Sequence, residues 1–339
     1  MKYISIPKPG IVEINEREMP VALPGTALLK LHYGGICGSD LGTYRGSFLY
    51  TKYPRVPGHE FSAEIVDIGA NERGLKEGMI VTANPYFNCG QCYSCTRGYV
   101  NCCMSNQTLG AQRDGVFMQY ITLPVERIYE GGGLSPKVLA LLEPFSISYH
   151  AVKRGKVKPD DNVLVVGSGT IGCLAATAAK LAGARVYVTD ISEGKLEYAK
   201  KLGADGVFIN SNEEEFNENV REITNGAGFD VCIEAVGLPV TFKNCIDAAA
   251  YRGRVVIVGI GKQSLDFFYS IIQTKELDIF GSRNALKEDF TELIDLVKAG
   301  KVDLNLFISD IYDYTDAQTA FKDLNERGAD KLKVLLKFC

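Results

Sequence analysis

Several features are scarce in this chain of 339 residues, and each scarcity excludes a class of protein. No stretch approaches the run of about 20 uncharged apolar residues that a membrane-spanning helix needs. The first ten residues, MKYISIPKPG, hold no apolar run long enough for a signal peptide. Neither sign of charge dominates, because 37 Lys and Arg face 41 Asp and Glu. We therefore expect a soluble cytoplasmic protein with neither a membrane nor a nucleic acid as partner.

Internal repeats and low-complexity tracts are missing as well, which excludes solenoid and fibrous proteins. Apolar residues make up 46% of the chain and charged residues 23%, a composition typical of globular proteins. The chain is longer than one hydrophobic core usually organises, so we expect two domains.

Histidine is rare, with three residues in all, whereas cysteine is plentiful, with ten. Five of the cysteines lie within 15 residues, and in a reducing compartment such a cluster indicates metal binding rather than disulfides. The pattern Cys89-x2-Cys92-x2-Cys95-x7-Cys103 predicts a zinc ion held by four thiolates, with Cys102 as the surplus thiol. A fully coordinated zinc has no open position for a substrate, so this site would be structural.

The hydrophobic pattern of the sequence changes near residue 160. The first 150 residues are rich in short β-like runs broken by Gly, Pro and Asn, and later residues alternate apolar strands with helices. This alternation predicts a doubly wound parallel sheet, an α/β fold. Its six expected strands are VLVVG (163–167), RVYVTD (185–190), GVFIN (206–210), FDVCIEAVG (229–237), RVVIVGIG (254–261) and ELDIFGS (276–282). The pattern of the chain after Gly281 predicts one or two helices and a final strand. It leaves open which of the two domains this C-terminal tail joins.

A glycine motif follows the first of these strands and opens a helix. In the pattern G-x-G-x-x-G, Gly167 permits a tight turn, Gly169 lets the backbone approach a pyrophosphate, and Gly172 lets the helix pack on the sheet. Asp190, at the end of the next strand, would accept hydrogen bonds from the ribose hydroxyls and repel a 2′-phosphate. The motif therefore predicts a dinucleotide site that favours NAD over NADP. Lys195 either weakens the preference for NAD over NADP or is simply a solvent-exposed charge on a helix.

A second, dispersed group of chemistry-bearing residues comprises Cys37, His59, Glu60 and Glu143. A mixed set of sulfur, nitrogen and oxygen ligands with one open position would make a catalytic zinc site. Taken singly, Cys37 also fits a small buried residue and His59 a hydrogen-bonded loop histidine.

These motifs together closely resemble those of the zinc-dependent medium-chain dehydrogenase/reductase superfamily, in its polyol (sorbitol dehydrogenase-like) branch. The segments that carry the resemblance, in order, are GICGSD, PGHE, CGQCYSCTRGYVNCC, LEP and VGSGTIG, followed by Asp190. The segments TYRGSFLYTKYPRVPGHEF and TKELDIFGSRNA are most similar to those of the L-galactonate and L-gulonate 5-dehydrogenases and their starvation-sensing relatives.

The resemblance implies an architecture. A GroES-like catalytic β-domain would comprise residues 1–148 and 284–339, with a zinc-binding lobe near 85–105. A Rossmann NAD-binding domain would comprise residues 149–283. The family also implies a homodimer or homotetramer that forms by edge-to-edge pairing around ELDIFGS.

The resemblance also assigns roles, with two zinc ions per chain. Cys37, His59 and Glu60 would bind the catalytic zinc, and Glu143 would hold its water or reach the metal directly. Ser39 would carry the substrate proton away, and Asp40 would orient His59. The lobe zinc would be bound by Cys89, Cys92, Cys95 and Cys103.

The implied reaction is the reversible oxidation of a secondary alcohol on a polyol or sugar acid by NAD. The cofactor residues would be Gly167, Gly169, Thr170, Ile171, Gly172, Asp190, Lys195, Val236, Val258 and Ser282. Alternatives are a threonine or simple secondary-alcohol dehydrogenase of the same fold, and a non-catalytic NAD-binding protein.

Two features bear on the substrate. Many relatives carry a histidine near the substrate where this chain has Gly42, which puts the outward proton route in question and would enlarge the pocket. Arg283, after the last Rossmann strand, would either pair with a substrate carboxylate or phosphate or lie at a surface. Arg45 and Arg55 are weaker candidates for the same role.

Overall fold

The computed structural model describes residues 1–339, except for the side chain of Ala329. The chain forms two compact units, which we call unit 1 (Met1–Glu143 and Leu286–Cys339) and unit 2 (Pro144–Ala285). This division differs by a few residues from the boundaries that the sequence predicts. The first junction falls within the helix Leu142–Arg154, whose continuous backbone runs from one unit into the other.

Unit 1 contains the following elements before the first junction: β1 (Lys2–Lys8), β2 (Ile11–Glu16), β3 (Thr26–Gly35), α1 (Gly38–Arg45), β4 (Glu60–Ile68), β5 (Ile80–Ala83), β6 (Tyr86–Phe87), β7 (Gln107–Thr108), β8 (Tyr120–Pro124), β9 (Ile128–Glu130), α2 (Pro136–Leu139) and the start of α3 (Leu142–Arg154). Unit 2 continues with β10 (Asn162–Val166), α4 (Thr170–Leu181), β11 (Arg185–Asp190), α5 (Glu193–Lys201), β12 (Gly206–Ile209), α6 (Glu213–Thr224), β13 (Phe229–Glu234), α7 (Pro239–Ala248), β14 (Ala249–Ile257), α8 (Ser270–Thr274) and β15 (Asp278–Gly281). The chain then returns to unit 1 with α9 (Lys287–Lys298), β16 (Ile308–Asp313), α10 (Ala317–Arg327) and β17 (Lys333–Lys337).

Unit 1 is built on a sheet in the order β16-β17-β3-β4-β5-β9, in which β8 also pairs with β3. One edge of β3 is shared, because β8 pairs with its first half and β17 with its last residues. The C-terminal tail, whose domain the pattern left open, therefore joins unit 1.

A buried phenylalanine holds the end of β3 near the loop that precedes β4. A Cβ atom on Gly34 would lie 2.6 Å from the ring of Phe117, and one on Gly58 would lie 2.3 Å from it. Only glycine allows both backbones to approach the ring this closely. This packing fixes the positions of the residues that follow, including His59.

Unit 2 is a parallel sheet in the order β12-β11-β10-β13-β14-β15, with helices in the connections. The central strands are buried along their length, as expected where helices cover both faces of a parallel sheet. The predicted six-stranded Rossmann sheet is confirmed. Among the described residues, none of the helices combines the length and apolar character that crossing a membrane requires.

Candidate active site and metal centres

The first candidate ligand, Cys37, is the N-cap residue of α1. The buried carboxylate of Asp40 accepts hydrogen bonds from the backbone N–H of Cys37 at 3.0 Å and from that of Gly58 at 2.9 Å. Asp40 therefore joins the start of α1 to the loop that carries His59. The resemblance assigns Asp40 to orienting His59, and these hydrogen bonds act on the backbone just before that residue. Burial raises the pKa of Asp40, although the neighbouring His59 opposes this.

Cys37, His59 and Glu60 converge. One ligand atom from each lies within 4.8 Å of the other two. His59 and Glu60 are buried, and Nδ1 of His59 is buried with no hydrogen-bond partner. Burial alone would lower the pKa of His59, but the nearby Cys37, Asp40 and Glu143 raise it well above its usual value. The surroundings of this ring therefore favour positive charge.

Glu60 is held by a buried lysine. Its carboxylate oxygens lie 2.6 and 2.7 Å from Nζ of Lys333, which comes from β17. Glu60 and Gly35 are directly opposite each other in the β3–β4 pair, and a Cβ on Gly35 would lie 2.2 Å from Oε2 of Glu60. The glycine thus leaves room for the carboxylate to fold back over the sheet.

Glu143 lies beside this group at the start of α3. Its Oε1 accepts a hydrogen bond from the hydroxyl of Tyr86, and both residues are buried. Burial raises the pKa of Glu143 to about 7, and burial next to Glu143 raises the pKa of Tyr86 well above its usual value. The backbone carbonyl of Tyr86 in turn accepts a hydrogen bond from the guanidinium of Arg127.

The residues present fit zinc. A thiolate, an imidazole and a carboxylate are ligands that zinc prefers, and three protein ligands leave one tetrahedral position open. The unpartnered Nδ1 of His59 and the acidic surroundings agree with a cation at this place. Ser39 lies half-buried in the first turn of α1, two residues after Cys37.

The lobe cysteines form a second group. Sulfur atoms of Cys89, Cys92, Cys95 and Cys103 all lie within 4.8 Å of one another, whereas Cys102 is exposed. The backbone N–H of Cys89 donates to Sγ of Cys103 at 3.2 Å. Backbone N–H groups lower the pKa of Cys92 to about 6, which favours the thiolate that binds metal. Four sulfur donors fit a structural zinc ion.

The glycine motif has the geometry expected of a phosphate loop. Gly167 adopts a positive φ of 102°, and a Cβ on Gly172 would lie 1.8 Å from the carbonyl oxygen of Gly167. Gly169 is the N-cap residue of α4, and a Cβ there would meet nothing within 4 Å. Asp190 accepts hydrogen bonds from the N–H groups of Ser168 and Ser192.

The other predicted cofactor residues follow strands of the same sheet. Val236 follows β13, Val258 follows β14, and Ser282 follows β15, so all three lie at the carboxyl edge. Lys195 lies in the first turn of α5, where its N–H donates to the capping Oγ of Ser192. Thr170 and Ile171 form the start of α4.

Comparisons with known proteins agree with this geometry. The family model described as zinc-binding dehydrogenase matches residues 170–299, and that described as alcohol dehydrogenase GroES-like domain matches residues 23–132. L-galactonate-5-dehydrogenase of Escherichia coli K12 is 36% identical over 326 residues, which cover 96% of this chain and 95% of that protein. The chain belongs to the zinc-dependent medium-chain dehydrogenase/reductase superfamily. The predicted oxidoreductase class, zinc dependence and GroES-like fold are thereby confirmed.

Two solved structures resemble this dehydrogenase over its whole length. The crystal structure of the alcohol dehydrogenase RspB of Escherichia coli CFT073 with NADH has a TM-score of 0.92 at 31% identity, covering 100% of this chain and 99% of that one. The crystal structure of galactitol-1-phosphate dehydrogenase from Escherichia coli has a TM-score of 0.92 at 28% identity, covering 100% of both chains.

The structure adds two residues of this dehydrogenase that sequence reasoning missed, Tyr86 and Lys333. No motif contains either of them. The one available signal for Lys333 is a lysine at the start of an otherwise apolar strand, KVLLK. For Tyr86 there was no signal, because its contact with Glu143 joins residues 57 positions apart.

The features expected to shape the substrate pocket are partly corrected. A Cβ on Gly42 would lie 3.2 Å from Cβ of Phe48, so Phe48 fills the space that the glycine was expected to open. Arg45 donates to Asn325, and Arg55 pairs with Asp114 at 3.2 Å. Arg283 is exposed just after β15.

Proposed function

We propose that this dehydrogenase oxidises a secondary alcohol of a polyol or sugar acid to the ketone, reversibly and with NAD. The observation that carries the proposal is that Cys37 and the buried His59 and Glu60 place ligand atoms within 4.8 Å of one another, which fits an open zinc site. The relative named L-galactonate-5-dehydrogenase supports a sugar acid as substrate.

Asp190 supports NAD as the dinucleotide. Its carboxylate lies at the end of β11 next to the phosphate loop, where it would accept from the ribose hydroxyls and repel a 2′-phosphate. The NADH found in the RspB structure agrees with this choice.

When bound, zinc supplies a Lewis acid that lowers the pKa of the alcohol, and NAD accepts the hydride. Ser39 would relay the hydroxyl proton of the substrate, accepting it while passing its own hydroxyl proton on to water. Glu143, whose pKa burial raises to about 7, would exchange a proton with water near neutral pH. Asp40 would hold Cys37 and His59 in fixed relative positions through its two hydrogen bonds to the backbone.

Arg283 is the candidate for binding a substrate anion. Its guanidinium would pair with the carboxylate of a sugar acid in a bidentate manner. Replacing Arg283 with Met would then raise KM for hexonates and leave KM for neutral polyols unchanged.

The test is NADH formation by the zinc-loaded protein with hexonates, polyol phosphates, neutral polyols and L-threonine, each with NAD⁺ and NADP⁺. We expect turnover with hexonates and NAD⁺. Preference for neutral polyols would contradict the role of Arg283 but not the substrate class. Preference for threonine would contradict the substrate class, and either result would keep the zinc chemistry. No turnover with any alcohol would contradict the proposal.

We also propose a homodimer or homotetramer that forms through β15. This strand is at the edge of its sheet and three of its four residues are exposed. An unpaired strand edge is a template for pairing with a second copy. None of the ten cysteines is paired in a disulfide, which supports a reducing cytoplasmic location.

A further inference from the structure

Glu234, the last residue of β13, is a buried carboxylate with no role in the proposed chemistry. It is 1% exposed, and its Oε1 accepts three hydrogen bonds. The donors are the N–H of Val236 at 2.9 Å, the N–H of Gly237 at 2.7 Å and the hydroxyl of Thr241 at 2.7 Å. Three hydrogen bonds thus converge on one carboxyl oxygen, which holds the turn after β13 in place.

The backbone of the same residue fixes a second loop. The carbonyl oxygen of Glu234 accepts from the N–H of Val258 at 2.9 Å and of Gly259 at 3.1 Å. We call residues 235–238 the β13 loop and residues 258–260 the β14 loop. Glu234 therefore joins two loops that belong to neighbouring strands.

The two loops touch through their backbones. A Cβ on Gly259 would lie 2.2 Å from the backbone N of Gly237 and 2.4 Å from Oε2 of Glu234. A Cβ on Gly237, whose φ is 87°, would lie 2.7 Å from the carbonyl oxygen of Ile260. Glycine at both positions lets the loops close around the carboxylate.

Val236 and Val258 lie on these loops at the carboxyl edge of the sheet, where ligands of such folds bind. Val236 is 43% exposed, and a Cβ on Gly167 would lie 2.5 Å from its side chain, so it adjoins the phosphate loop. We infer that Glu234 is a positioning residue that sets the spacing of the β13 and β14 loops. This spacing in turn sets the position of the surface that binds the nicotinamide half of the dinucleotide. This inference rests on the proposed function, because it requires a dinucleotide at this edge.

The test compares two ligands that differ only in nicotinamide. The affinity for NADH is measured by the change in its own fluorescence, and that for ADP-ribose by calorimetry. Glu234→Ala removes all three acceptor contacts, and we expect NADH binding to weaken about tenfold or more. ADP-ribose binding should change by no more than about twofold, because the variant changes no residue of the glycine motif and removes neither hydrogen bond that Asp190 accepts.

Two further variants separate positioning from folding. Glu234→Gln keeps an Oε1 acceptor, so it should restore most of the NADH affinity. Asp230→Ala is the matched control, since Asp230 lies on the same strand and accepts from the N–H of Asn162 at 2.8 Å, at the other end of the sheet. It should leave the ratio of the two affinities unchanged. If Glu234→Ala does not fold, Thr241→Val replaces it. This variant removes one donor to Glu234 and should weaken NADH binding, but not ADP-ribose binding, by a factor smaller than about tenfold.

If Glu234→Ala weakened the binding of NADH and of ADP-ribose equally, the inference would be overturned. It would also be overturned if neither affinity changed. Failure of the unaltered protein to bind both ligands would instead overturn the proposed function, and the inference with it. The two failures are therefore distinguishable.

Discussion

Glu60 lies between the buried ammonium of Lys333 and the other donors that fit zinc. Its oxygens are 2.6 and 2.7 Å from Nζ of Lys333, and a ligand atom of Glu60 lies within 4.8 Å of those of Cys37 and His59. A buried carboxylate needs a cation nearby, and here two cations can share that role.

Replacing Lys333 with Met tests this sharing. In the zinc-free protein Glu60 loses its cation, and the free energy of unfolding should fall by about 3–5 kcal/mol. With zinc bound the loss should be smaller, because the metal can face Glu60 instead. Denaturant unfolding with and without zinc measures both values. Lys331→Met, which breaks the more exposed pair with Asp310, is the control, and an equal loss in both states of Lys333→Met would contradict the account.

Tyr86 offers a second test at the same scale. Tyr86→Phe removes the hydrogen bond to Glu143, which lowers the pKa of that carboxyl. The pKa of Glu143 should therefore rise, and the acidic limb of the pH–kcat profile should move to higher pH. We expect kcat at neutral pH to fall about tenfold with the zinc content unchanged. Tyr312→Phe, which removes a hydroxyl bonded to Asp323, should leave the profile in place.

Sequence reasoning reached the motif residues but not their supports. Cys37, His59 and Glu60 belong to short motifs, so their types and spacing suffice to propose a site. Lys333 lies 273 positions from Glu60, and only the pairing of β17 with β3 brings them together. Contacts of this kind depend on topology, which local patterns do not encode.

At the scale of elements, the lobe has little apolar interior and depends on its cysteines. Its backbone turns at Gly90 and Gly98, both with positive φ, and holds two short 3₁₀ helices, Cys95–Arg97 and Val100–Cys102. Metal binding is expected to supply the folding free energy that the missing core does not.

Neighbouring cysteines provide a matched pair of variants. Cys103→Ser removes a buried ligand, so the protein should lose about one zinc ion per chain and melt at a lower temperature. Cys102→Ser changes an exposed thiol outside the cluster and should leave both values unchanged. Metal analysis and thermal unfolding measure the two effects. Loss of zinc in Cys102→Ser alone would mean that the ligand set is wrong.

Helix α4 provides another matched pair. A Cβ on Gly172 would lie 1.8 Å from the carbonyl of Gly167, so Gly172→Ala should destabilise unit 2 by about 2 kcal/mol or more. Gly169 has open space and a φ of −69°, so Gly169→Ala should fold normally and weaken NADH binding by crowding the pyrophosphate. Unfolding curves and NADH titration separate the two. Unchanged NADH affinity in Gly169→Ala would contradict the placement of the cofactor.

Most strands of the parallel sheet were predictable because they contain a short apolar run, such as VLVV in β10 and VVI in β14. Other elements were not. β6 and β7 have two residues each, and β16 (ISDIYD) is mixed in polarity, so none of the three shows a usable hydrophobic period.

At the scale of the whole molecule, unit 2 is an insertion in unit 1, and all four candidate catalytic-zinc residues belong to unit 1. The predicted dinucleotide residues all belong to unit 2. Mutations in the first set are therefore expected to impair metal binding alone, and mutations in the second set dinucleotide binding alone. A variant that loses the metal should still bind the dinucleotide.

The most direct measurement is made on Cys37→Ala. We expect this variant to contain about one zinc ion per chain rather than two, to bind NADH as the unaltered protein does, and to show no alcohol oxidation. Metal analysis, NADH titration and an NADH-formation assay on one preparation give all three values. Measurable alcohol oxidation by Cys37→Ala lacking the second zinc would contradict the central claim that Cys37, His59 and Glu60 hold the metal on which the reaction depends.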